Sequence, residues 1–133
     1  MQRGISDLGM LAGRLALALL YVQAGWSKVV HWPGIVHLLT HLDAPAPTLG
    51  AVIAVVCELG AGGLVMLGLR TRPAAIVLIL FTIAANWLAH RFWLMQGRAA
   101  AAAEIQFFLD LAICGGLLLL ASAGPGRFSL DRR

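Results

Sequence analysis

The stretch 49–69 is apolar throughout except for one carboxylate, Glu58. At about 1.5 Å per residue it makes roughly 30 Å of helix, enough to cross the hydrocarbon of a bilayer. Backbone groups in hydrocarbon must be bonded internally, so such a run spans as a helix. Three further blocks repeat the pattern, and the four spans are expected near 8–30, 48–69, 73–94 and 100–123. Charged residues make up 12% of the 133, about half the share in an ordinary soluble domain. The expected fold is all-α: residues 1–133 form a single integral membrane domain, a four-transmembrane-helix up-down bundle. No loop is large enough for a soluble catalytic domain.

The turns give the orientation. Gly68 is a helix stop, and Thr71 with Pro73 is a start, so Arg70 and Arg72 sit in a very short turn. Arg3, Arg127, Arg132 and Arg133 fall at the same end, while Lys28, Arg91 and Arg98 fall at the other. The positive-inside rule then places both termini in the cytoplasm, as a multi-pass protein of a bacterial-type inner membrane. The net charge of +4 is thus an orientation signal first and an anionic-lipid contact second. Nucleic-acid binding has no support. The start imitates a signal peptide, with Arg3, an apolar core and Val22-Gln23-Ala24. It is read instead as the first spanning helix, capped by Ser6 or Asp7.

His31-Trp32-Pro33-Gly34 breaks that helix. Ile35, Leu38, Leu39 and Leu42 then recur at i, i+3, i+4 and i+7. This pattern predicts a short amphipathic helix over 34–42, lying at the outer interface in the first outer loop. Ala44-Pro45-Ala46-Pro47 is a stiff link, and Thr48 is a candidate cap for the next span. No span is marked as broken at the midplane, and no internal repeat is visible. Both points disfavour a small transporter in which Glu58 and His90 relay protons.

Counted from the outer ends, Gln23, Asn86 and Asp110 lie about 10 Å deep and Glu58 about 15 Å deep. Polar groups at such depth are costly against lipid, so they should converge inside the bundle. Every histidine and tryptophan also falls on the outer side. One cavity in the outer half is therefore expected. Glu58, Asn86, His90 and Asp110 would line it, Lys28, Gln23 and Glu104 would form its rim, and Trp26 and Phe107 would wall it. Such a pocket suits a quinone: Asn86 and His90 would hydrogen-bond its carbonyl oxygens, and Glu58 or Asp110 would carry protons. The plainer alternative is that these groups hold the helices in register, for roughly 0.5–2 kcal/mol each. Arg14 is read as snorkelling to the headgroups or, given its reach, as a partner for Glu58. His37 and His41 are read as interfacial polar residues, and no metal site is expected. Cys57 and Cys114 sit in apolar blocks without a C-x-x-C pattern and are read as small buried residues.

A set of fragments in this order resembles the DoxX family of small four-helix membrane proteins. They are Arg14, Gly25-Trp26-Ser27-Lys28, Pro33-Gly34, Glu58-Leu59-Gly60-Ala61-Gly62-Gly63, Gly68-Leu69-Arg70-Thr71-Arg72, His90 and Gly124-Pro125-Gly126-Arg127-Phe128-Ser129-Leu130-Asp131. The resemblance covers nearly the whole chain, and the last fragment is its most specific part. It implies a four-helix bundle and a link to membrane redox, since the name-giving member is a subunit of a thiosulfate:quinone oxidoreductase. On that basis the chain is expected to be a membrane subunit of a redox system. It would bind a quinone, link it to an extracytoplasmic electron donor, and work with a protein partner or as a homo-oligomer. The alternative is a non-catalytic membrane anchor or assembly partner for a redox or metal-handling complex. Lacking a paired-cysteine site, the chain would need a partner to bring any sulfur chemistry.

Overall fold

The computed structural model describes residues 2–131. Of the arginines read as orientation signals, Arg132 and Arg133 lie outside the described residues. Five helices follow in order: α1 (Gln2–Val30), α2 (Trp32–His41), α3 (Pro47–Leu67), α4 (Thr71–Ala89) and α5 (Gly97–Ala123). A single 3₁₀ turn, Phe92–Leu94, links the last two. All helices but α2 are long and apolar enough to cross a membrane, and there is no strand among the described residues. The fold is an all-α membrane bundle.

Several helix ends differ from expectation. Ser6 and Asp7 lie inside α1 rather than at its start, so neither caps it. Thr48 does not cap α3, which begins one residue earlier with Pro47 in its first turn. Proline there loses nothing, because the first N–H groups of a helix lack intrahelical partners. Gly68 does end α3, with the left-handed angles φ 68° and ψ 37°.

The helices pack as a ring in which α1 touches α3, α3 touches α4, α4 touches α5, and α5 returns to α1. Lipid gives helices no hydrophobic reason to associate, so close packing must come from small residues. Alanines 18, 51 and 75 are fully buried, with Val65, Leu78 and Leu117 filling between them. Gly25 and Gly62 set the α1–α3 approach. A methyl group on Gly25 would lie 2.8 Å from Leu59 Cγ, and one on Gly62 would lie 3.0 Å from Tyr21 Cβ. Gly60 and Gly63 have open space beside them, as do Gly9 and Gly13. Large apolar side chains such as Leu80 and Leu119 point outward, as a lipid-facing surface requires.

One feature of α3 was not legible. Residues Val56–Ala61 form a π-helical turn, in which the Gly62 N–H reaches back five residues to the Cys57 carbonyl. Glu58 sits in this turn. Such wide turns are rare and concentrate at functional sites.

At the end where α1 begins, the tail after α5 folds back under the α3–α4 turn. The N–H groups of Leu130 and Asp131 bond the carbonyls of Leu67 and Gly68, at 3.2 and 2.8 Å. The Asp131 carboxylate accepts the N–H groups of Arg70 and Thr71, at 2.6 and 3.0 Å. One strap thus serves the loose carbonyls of α3 and the loose N–H groups of α4. Arg14 holds the strap from α1, donating to the carbonyls of Pro125 and Phe128 at 2.6 Å each. Arg14 is therefore tied to the tail, and the possible pair with Glu58 is not formed.

Candidate functional site

At the other end of the bundle a cavity of about 590 Å³ opens between α1, α3, α4 and α5, with α2 over its side. That volume is ordinary for a small-molecule site. Its walls are mostly aliphatic. The apolar face of the amphipathic helix α2 is turned to the cavity: Ile35, Leu38, Leu39 and Leu42 line it. Leu49 and Ile53 of α3 continue this apolar wall.

Polar groups enter from two sides. On one, Lys28 reaches inward from the last turn of α1 and pairs with Glu58, whose side chain is 7% exposed. The ammonium is 2.9 Å from each carboxylate oxygen. The direction suits a hydrogen bond only at Oε1, so buried Oε2 keeps an unused acceptor. Lys28, expected at the rim, is thus the counter-ion of the deepest acid.

On the other side, His90 ends α4 and faces α5. Its Nδ1 lies 3.4 Å from Asp110 Oδ2 and 3.2 Å from Asn86 Oδ1. Both neighbours are acceptors, so Nδ1 carries a proton shared between them. Gln106 donates to Asp110 at 3.0 Å, one helical turn away. Asn86 is buried behind His90, where its amide donates to the Phe107 carbonyl at 3.3 Å. Between the two sides, Tyr21 and Thr82 share a buried 2.6 Å hydrogen bond that ties α1 to α4, and both line the cavity.

Of the residues expected at the site, Lys28, Glu58, His90 and Asp110 therefore line one cavity. Asn86 supports it from behind. Gln23, Trp26 and Glu104 are exposed on the outside of their helices, and Phe107 contributes only a carbonyl to Asn86. The aromatic wall expected from Trp26 and Phe107 is not there. Phe107 stacks edge-on with Phe92, Trp93 and Phe108 in a separate cluster, leaving Phe81 and Tyr21 as the aromatic residues on the wall. Tyr21 and Thr82 were missed, although spacing signals them. Tyr21 lies four and seven residues before Gly25 and Lys28, and Thr82 lies four before Asn86, so each shares a helix face with a residue already singled out. His37 and His41 stack at 6.4 Å on α2. Among the described residues, no three His, Cys, Asp or Glu side chains gather to hold a metal.

The family model described as DoxX matches residues 9–91. The chain belongs to the DoxX family. The matched part carries most of α1 and all of α2, α3 and α4, with Lys28, Glu58, Asn86 and His90. Inner membrane protein YphA of Escherichia coli is 40% identical over 124 residues, which are 93% of this chain and 89% of that protein. Inner membrane protein YqjF of the same organism is 32% identical over 128 residues, covering 96% and 93%. The Surfeit locus protein 4 homolog of Schizosaccharomyces pombe is 31% identical over 84 residues, 62% of this chain and 28% of that one. No solved structure matches the chain.

Proposed function

We propose that this DoxX-family protein is an inner-membrane subunit of a redox system that holds a quinone in the cavity beneath α2. The observation that carries this reading is the division of the cavity wall: an apolar surface faces two separated hydrogen-bonding groups, Lys28–Glu58 and His90–Asp110. A quinone head is flat and apolar with an oxygen at each end, and its fit rests on both parts. A bound quinone would supply two-electron, two-proton chemistry.

The chain's own residues would orient and protonate. The Lys28 ammonium is a donor on one side of the cavity; on the other the His90 ring, its Nδ1 proton turned to Asn86 and Asp110, would donate through Nε2 in its protonated form. The spare Oε2 of Glu58 is an acceptor close to Lys28. Asn86 and Asp110 fix which way the His90 ring points, and Gln106 fixes Asp110. Electrons would come from a partner protein, because the two cysteines lie on different helices as free thiols.

Glu58→Gln keeps the shape of the acid and removes its charge, and His90→Ala removes the opposite donor. Each should weaken quinone binding about tenfold or more, the expected loss for a hydrogen bond involving a charged group. Titration of the purified protein with a quinone, alongside thermal melts, checks this. Folded variants that both bind as tightly as wild type would reduce the polar groups to helix-to-helix ties. A stable protein partner purified without any quinone would favour the assembly role instead.

The arginine-rich tail end is proposed to face the cytoplasm, with both termini inside. Reporters fused at Arg133 and within Gln96-Gly97-Arg98 should then report the cytoplasm and the outer side respectively; exchanged sides would reverse the assignment, and the same side for both would sink the topology.

A further inference from the structure

A second cleft lies at the far end of the bundle from the cavity. It has a volume of about 760 Å³ and runs between the α3–α4 turn and the Gly124-Pro125-Gly126 bend. Because α4 begins at Thr71 and α5 ends at Ala123, the cleft lies where two spans leave the hydrocarbon, at headgroup depth. We propose that it binds a phosphate group, with the Arg70 and Arg72 guanidinium groups as its ligands and an anionic phospholipid as its membrane source.

Three observations support the assignment. First, Arg70 and Arg72 both line the cleft, and among the described residues neither guanidinium has an ion pair or hydrogen bond. Arginine is suited to phosphate because its planar fork can donate two parallel bonds to one group. Second, the one acid in the cleft is already engaged: Asp131 accepts the N–H groups of Arg70 and Thr71, with the buried Thr71 side chain beside it. Third, space is kept for the Arg72 side chain. A methyl group on Gly124 would lie 3.4 Å from Arg72 Nη2, so glycine lets that side chain lie along the bend.

The surroundings agree in sign. Arg3 and Arg127 stand at the same end, so the local field is positive, and juxtamembrane arginines draw anionic headgroups within a Debye length. The tail strap uses the backbone of Arg70 and no atom of Arg72, so both side chains can be changed without removing the hydrogen bonds that hold the turn.

The experiment uses the full chain in detergent with added lipid. Phosphatidylglycerol should raise the melting temperature by about 4 °C over phosphatidylcholine, as a ligand in good excess over its Kd does. The paired variant Arg70→Gln/Arg72→Gln should bind about tenfold or more weakly and lose most of that shift. Arg91→Gln/Arg98→Gln, at the opposite end, should keep it. Inorganic phosphate added with phosphatidylcholine separates the sources. A shift that phosphate reproduces, and that Arg70 and Arg72 control, keeps the site but makes its ligand a free anion. No preference for phosphatidylglycerol, or an equal shift in the Arg70→Gln/Arg72→Gln variant, overturns the assignment.

Discussion

Gly68→Ala is expected to destabilise the bundle by about 2–5 kcal/mol. A left-handed residue with a side chain costs roughly 1–2 kcal/mol, and overpacking a filled site costs roughly 1–3 more. Both terms apply here. Gly68 has φ 68°, and an added methyl would lie 2.5 Å from Ser129 Cβ, 2.8 Å from Arg14 Nη1 and 2.9 Å from Ser129 Cα. The last contact is backbone and cannot swing away, so the tail must lift. Gly63→Ala is the matched control five residues earlier, in helical conformation with open space around it. It should be neutral or slightly stabilising, since alanine favours helix by up to about 1 kcal/mol. Equilibrium unfolding of both variants in one detergent checks the contrast, and equal stability would mean that the tail does not hold the turn.

The same strap gives stability a pH dependence of known sign. The N–H groups of Thr71 and Arg70, with the nearby Arg14 charge, hold the Asp131 carboxyl below the usual aspartate range, against a smaller opposing effect of burial. The folded state therefore binds its proton less readily than the unfolded state. The contribution is fully present above the ordinary aspartate pKa of about 4 and is lost as pH falls through the lower folded value. Asp131→Asn should flatten that part of the acid limb.

The second large effect concerns the ion pair in the cavity. Lys28→Met should destabilise by about 3 kcal/mol, the lower part of the range for stripping one partner from a buried pair, because the Lys28 side chain is still 23% exposed. Lys28→Met/Glu58→Leu removes both charges and keeps similar volumes. It should return to within about 1 kcal/mol of wild type, since apolar replacement of a whole pair is often neutral. The pair of variants separates fold from function: the double variant should be folded and still fail to bind quinone. A Lys28→Met protein as stable as wild type would show that the Glu58 charge does not depend on Lys28.

The spans were legible because length and hydropathy alone decide them. Their ends were less so. Ser6, Asp7 and Thr48 are good caps in water, but near a bilayer a backbone group gains more by continuing the helix than by ending it on a side chain. The convergence of Glu58, His90 and Asp110 followed from depth. The partner of Glu58 did not, because counting from the helix end locates the Cα of Lys28 and not an ammonium that reaches inward along its own stem. The π turn at Glu58 had no sequence signature, since a slip in hydrogen-bond phase depends on how neighbouring helices press on α3. The aromatic residues misled for another reason. Their one-sided placement was real, but Trp26 faces outward and Phe107 turns to Phe92, Trp93 and Phe108, a cluster at the edge of α4 and α5.

The strap also has a consequence for biosynthesis. Chains are made and inserted from the N-terminus, so the α3–α4 turn enters the membrane with its N–H and carbonyl groups still unmatched. Their partners at Leu130 and Asp131 are added only after α5, some 60 residues beyond Thr71. Arg14 waits longer still, for carbonyls 111 and 114 residues downstream. A chain cut short within α5 would therefore leave three complete spans and the cationic turn unlatched, a form that differs from the finished protein at that turn by the missing tail.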